Sequence, residues 1–172
     1  MGPRPPLEPP KVIAVRFGWL LLGLAIPGVA WAHGSEYVYA RLVLGEQPRL
    51  EFSLEYNDNP IVDSRDQAKA ILERELLIHS GGRDSDLSGL ADAVWGEAAE
   101  FPQTAPVPVP LPGDGQDHRL LTVAVALSGP FHLSLKKGSE QAVIYWVDDG
   151  TAAPPRWQIL LAGDISPHVI LP

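Results

Sequence analysis

Residues 37–56 read YVYARLVLGEQPRLEFSLEY, and this stretch decides the fold class. Leu50, Phe52, Leu54 and Tyr56 alternate with Glu51, Ser53 and Glu55. Successive side chains on an extended backbone point to opposite sides, so this pattern describes a strand with one apolar and one polar face. Tyr37 to Leu44 is rich in β-branched and aromatic residues, which suit a pleated, half-buried surface. Gly45-Glu46-Gln47-Pro48 lies between the two segments, and turn residues there predict an antiparallel hairpin. Asn57-Asp58-Asn59-Pro60 stops the second strand.

Beyond the hairpin comes a helix. Ser64 and Gln67 have the spacing of a capping box. Ala68, Ile71, Leu72 and Leu76 recur at helical spacing, with Arg65, Lys69, Glu73 and Arg74 on the other side. The chain then turns into a strand over Leu76 to Ser80, ahead of Gly81-Gly82. Further strands are predicted at Leu120–Leu127, Ala142–Val147 and Trp157–Ala162, with a short one at Phe131–Leu135. The first of these, LLTVAVAL, is nearly continuous in apolar residues, as expected of a central strand covered on both faces. Phe101 to Gln116 carries prolines at 102, 106, 108, 110 and 112. It reads as an extended crossover or edge segment of the same domain. About seven strands and one helix near residues 64–75 indicate a mainly β fold, an immunoglobulin-like two-layer β-sandwich.

The opening of the chain reads as an address. Arg4, Lys11 and Arg16 precede the apolar run Phe17–Ile26, Pro27-Gly28 breaks it, and Ala30-Trp31-Ala32 satisfies the small-residue rule of a secretory cleavage site. A membrane span needs roughly 20 apolar residues, and Arg16 cuts this run short. Residues 1–32 are therefore expected to be a cleaved signal peptide and 33–172 a single exported domain. That domain would be periplasmic or secreted, and not an integral membrane protein after cleavage. The absence of cysteine excludes disulfides, thiolate metal sites and a lipid-anchored cysteine. Residues 33–172 hold 10 basic and 20 acidic residues. Such a surface argues against nucleic acid, whose phosphates need clustered Lys and Arg.

Cleavage before His33 would free an α-amine beside an imidazole. The two nitrogens close a chelate ring and leave positions for a second imidazole, a donor set that suits Cu(II). With this junction the chain resembles periplasmic copper-carrier β-sandwich proteins with an N-terminal histidine. More distantly, it resembles the copper brace of lytic polysaccharide monooxygenases. The resemblance implies His33 as anchor. The Asp-x-His pair that those carriers use late in the chain has its nearest counterpart in Asp117-His118, which lacks the intervening residue. His118, at the start of a predicted strand, is the candidate second ligand. Cleavage after Ala30 would instead place His33 third, where terminal amine, backbone amides and imidazole can surround Cu(II) or Ni(II).

Other chemistry is sparser. Asp84-Ser85-Asp86-Leu87-Ser88-Gly89 resembles the first half of a calcium loop, with Asp92 at the ninth position. The twelfth position, which needs a bidentate glutamate, is Trp95, so a polar turn is the expectation over calcium. His79, His132 and His168 read as separate surface residues. Glu97/Glu100 and Asp148/Asp149 read as solvated acid pairs. Trp95, Trp146 and Trp157 with Tyr37, Tyr39 and Tyr145 offer either a sugar-stacking platform or core. No nucleophile motif, H-E-x-x-H or phosphate-binding glycine loop occurs. The sequence thus predicts a non-enzymatic exported binding domain that takes Cu(II) through His33. The alternative is an envelope accessory protein docking to a membrane partner. A copper-dependent oxidative enzyme would need the same His33, a second histidine and a substrate surface.

Overall fold

The computed structural model describes residues 2, 37–56, 61–102, 104–106 and 119–171. By backbone contacts the chain divides between residues 31 and 32, and all the named elements belong to the second unit. His33, Asp117 and His118 lie outside the described residues.

The described residues of this unit are mainly β, with two sheets and one α-helix. The expected hairpin forms from β1 (Tyr37–Val43) and β2 (Arg49–Tyr56), paired antiparallel with Tyr39 opposite Ser53. The helix α1 (Arg65–Glu75) follows, then β3 (Leu76–Ser80) and β4 (Arg83–Ser85). Next come β5 (Val94–Ala98), β6 (Arg119–Ala126), β7 (Pro130–Leu135), β8 (Ala142–Asp148), β9 (Arg156–Leu160) and β10 (Val169–Ile170). The larger sheet has the order β5-β6-β2-β1-β8-β9, and the smaller β10-β7-β3-β4. Every pairing is antiparallel except β1 with β8.

The inward faces of both sheets share one apolar core. Leu42, Leu50, Phe52, Leu54 and Val125 come from the larger sheet, and Leu76, Ile78, Phe131 and Leu133 from the smaller. Helix α1 seats Ala68, Ile71 and Leu72 in the same core, as its spacing predicted. The Ser64 hydroxyl accepts the Gln67 N–H at 3.4 Å. The reciprocal bond reaches past Ser64: the Asp63 N–H donates to Gln67 Oε1 at 2.9 Å. Ser80-Gly81-Gly82-Arg83 joins β3 to β4, with φ of +57° and +77° at the glycines. Two consecutive left-handed residues are the signature of a tight primed hairpin turn.

Two expectations need correction. LLTVAVAL lies between β5 and β2, but only one of its faces is fully covered. Leu121, Val123, Val125 and Leu127 are buried, while Thr122 and Ala124 are half-buried and Ala126 is exposed. Small residues, not a second layer, make the run look continuous. Conversely, β2 is more covered than its alternation suggests, since Ser53 and Glu55 on the outer face are also buried. There Tyr39, Ile144 and Trp146 form a second apolar cluster, packed against by Phe101 and Ala105, and the Tyr39 and Phe101 rings lie 4.6 Å apart. The start of the proline-rich segment thus lies on the outer face of the larger sheet. Three short strands, β4, β5 and β10, had no counterpart in the sequence reading.

Val123, Val125 and Leu127 share the core with Tyr145, whereas Trp157 is on the opposite, outer face. Val125→Ala should cost about 1–3 kcal/mol through lost burial and a small cavity. Denaturant unfolding checks this against Ala126→Ser, an exposed neighbour expected to change stability by less than about 0.5 kcal/mol.

Candidate functional site: a histidine row on the smaller sheet

Strand register gathers residues that are far apart in sequence. In the β3–β4 pair His79 stands opposite Asp84, and in the β3–β7 pair it stands opposite His132. The β7–β10 pair sets Phe131 against Val169, which brings His168 level with His132. The four residues form one row on the outer face of the smaller sheet. The His79 and His132 rings stack at 4.0 Å with an 11° interplanar angle. His132 and His168 lie 4.2 Å apart, tilted by 38°. These histidines were expected to be separate surface residues, and the fold brings all three together.

Both nitrogens of His79 are engaged. Nδ1 lies 2.5 Å from Asp84 Oδ1, and Nε2 lies 3.0 Å from Ser134 Oγ. A carboxylate at one ring nitrogen and a hydroxyl at the other is the connectivity of a serine-nucleophile relay. The surroundings do not extend it into one. Ser134 is buried near the end of β7. The Leu133 N–H donates to Ser166 Oγ at 2.9 Å, and the Leu135 N–H to the Asp164 carbonyl at 3.0 Å. The amides flanking Ser134 are therefore committed, and neither is available to hold an oxyanion. The arrangement fixes the orientation of His79.

Nor do the rings converge on a metal. Imidazole lone pairs lie in the ring plane, so stacked rings aim them side by side. Among the described residues no group of three or more His, Cys, Asp or Glu is arranged to hold a metal ion. The segment that resembles a calcium loop is a turn. Asp86 caps a short 3₁₀ helix (Leu87–Gly89), accepting from the Ser88 hydroxyl at 2.7 Å and the Gly89 N–H at 3.0 Å. These bonds hold its carboxyl below the usual range, while Asp84 serves His79.

Other candidates resolve locally. Trp146, Tyr39 and Tyr145 are buried and form core, Tyr37 and Trp95 are half-buried, and Trp157 is exposed, so the six aromatic residues do not form one platform. Glu97 pairs with Arg65 at 2.8 Å. Asp148 lies at the β1–β8 end of the larger sheet, 3.5 Å from Arg41 Nη1, and accepts from the Thr104 hydroxyl at 3.2 Å. The Thr151 N–H and hydroxyl both donate to Asp149 and lower its pKa. A cleft of about 480 Å³ opens here, lined by Thr104, Asp148, Asp149, Pro154, Pro155 and Arg156 among others. Beside it runs the edge strand β9. Its outer face leaves Trp157 49% exposed and Ile159 44%, and Leu161, just past its end, is 58% exposed.

Family models, curated proteins and solved structures were all compared with this chain, and none matches it.

The His132 pKa is pushed below its ordinary value, first by burial and then by His79 and His168, with Asp84 opposing. On acidification the unfolded chain takes up this proton before the folded one does. The stability contribution is thus whole above the ordinary histidine range and is lost as pH falls through that range and the lower folded value. His132→Phe should flatten the fall in unfolding free energy between about pH 7 and about pH 5, measured by denaturant titration. Equal slopes for the two proteins would show that His132 is not the group responsible.

Proposed function

We propose that this chain is an exported, non-enzymatic binding domain that docks an envelope partner by strand addition to β9. The observation that carries the reading is the state of that edge. A sheet edge offers a row of backbone donors and acceptors to another chain, and natural edges are usually blunted by charge, proline or a bulge. Arg156 and the preceding Pro154-Pro155 blunt only the start of this edge, and from Trp157 to Leu161 there is no charged residue and no proline. Trp157, Ile159 and Leu161 instead make an exposed apolar stripe along the edge. Main-chain pairing would supply affinity, and alternate side chains on the stripe would supply selectivity. The acidic balance of residues 33–172 favours a basic partner segment. The immunoglobulin-like two-layer arrangement belongs to this proposal, as the scaffold that presents the edge.

A second reading rests on Ala30-Trp31-Ala32-His33. In it, export frees His33 to bind one Cu(II), with His118 and Asp117 as further ligands. Such binding would weaken as pH falls, because both nitrogens must lose protons before they donate to the metal.

Titrating the labelled protein with an extended peptide of alternating valine and lysine tests the docking reading. Amide shifts should concentrate on residues 156–161, and Ile159→Lys should remove them. Shifts spread elsewhere, or unchanged by Ile159→Lys, would reject edge docking. Calorimetry tests the copper reading. Protein processed to begin at His33 should bind one Cu(II) far more tightly than the same domain carrying an extra methionine. Equal affinity would remove His33 as anchor.

A further inference from the structure

Among the described residues, the histidine row has a carboxylate at one end only. Asp84 on β4 serves His79, and beyond it stand His132 on β7 and His168, one residue before β10. The last strand is also the most lightly held. It pairs with β7 through two residues, Val169 with Phe131 and Ile170 with Pro130. Past it the Leu171 N–H donates to the Gly129 carbonyl at 3.4 Å, with the Leu171 side chain buried.

We propose that the stacked histidines form an acid-sensitive clasp, which holds residues 167–171 against β7 at neutral pH and releases them when His132 and His168 become protonated. The neutral rings lie at stacking distances, where they attract. Charged rings at the same distances repel, and the repulsion is strong because the central ring is half-buried. The charges acting on His132 come from three elements: His79 on β3, His168 ahead of β10, and Asp84 on β4. Ser134, on its own strand and also against His79, is neutral. One carboxylate cannot offset more than one positive charge gathered on the row, and it lies at the far end, in contact with His79. Burial and the two neighbouring histidines both oppose the charged form of His132, as the direction of its shift records.

Which element moves follows from how each is anchored. Strand β3 is paired on both sides and buries Leu76 and Ile78, and β7 buries Phe131, Leu133 and Leu135. His168 is exposed, and past the Ser166 bonds to Leu133 its segment is held to β7 by the two β10 pairings and the Leu171 N–H. Release would uncover the edge of β7 at Pro130 and Phe131, which β10 covers at neutral pH. This inference is independent of docking at β9 and of copper at His33.

Hydrogen exchange followed by NMR tests it, with protection corrected for the intrinsic pH dependence of exchange. Between about pH 7.5 and about pH 5 the Leu171 amide should lose on the order of ten-fold in protection or more. The Phe52 amide in β2 should keep its protection. His168→Gln, at an exposed position, and His132→Phe, which keeps a ring in the stack, should each suppress the loss at Leu171. Asp84→Asn should move the loss to higher pH. Protection at Leu171 that does not change with pH in the unaltered protein would overturn the clasp. So would a loss that persists undiminished in His168→Gln.

Discussion

With no cysteine anywhere in the chain, no disulfide ties the two sheets, and a shared apolar core holds them together. Leu50, Phe52 and Leu54 from β2 meet Leu76, Ile78, Phe131 and Leu133 from the smaller sheet in one apolar core, and α1 closes part of it with Ala68 and Leu72. A domain of this size can be held by such a core without cross-links, but every other feature then depends on it. The register of β3 against β7 is fixed by which of their residues face inward. A slip by one position would send Ile78 and Leu133 to solvent and bring His79 and His132 into the core. The outer-face row is thus a by-product of inward packing.

The outer face of the larger sheet shows how charge and burial cooperate on a thinner scale. Arg41 on β1 reaches Glu51 on β2 at 2.7 Å and Asp148 on β8 at 3.5 Å, and its Nη1 also donates to the Thr104 hydroxyl at 3.4 Å. Partly exposed pairs of this kind contribute little individually. Their effect here is positional, because Thr104 also accepts from Trp146 Nε1 at 3.4 Å. Together these contacts pin the start of the proline-rich segment over Tyr39, Ile144 and Trp146.

The parts of the fold that were legible in the sequence are those where one residue's pattern is enough. Leu50 to Tyr56 alternates, Ser64 caps, and Ala68, Ile71 and Leu72 repeat at helical spacing. Each of these follows from local backbone geometry. Strands β4 and β10 were not legible because three and two residues carry no period, and β5 because Val94-Trp95-Gly96-Glu97-Ala98 does not alternate cleanly. The buried outer face of β2 escaped because its cover, Phe101 and Ala105, arrives from elsewhere in the sequence. The histidine row escaped for a related reason. Period-2 reasoning gives the side on which His79 and His132 stand, but only strand register makes them neighbours. His33 was proposed from an export signal and a donor set, and Asp117 with His118 from the resemblance to copper carriers, and all three lie outside the described residues.

The parallel pairing of β1 with β8 bears on how the chain reaches this state. Tyr37 is matched with Ala142, so the ladder at the centre of the larger sheet closes a loop of roughly a hundred residues, whose entropy must be surrendered before any of its contacts form. The hairpin of β1 and β2 can assemble early, because its two strands adjoin in sequence. Until β8 arrives, the far side of β1 is an unpaired edge that carries Val38, Ala40 and Leu42. While unpaired on that side, β1 is an adhesive strand at a position that is interior to the sheet in the native fold. The last third of the chain therefore completes the core and also ends the period in which this domain is most prone to associate with its own copies.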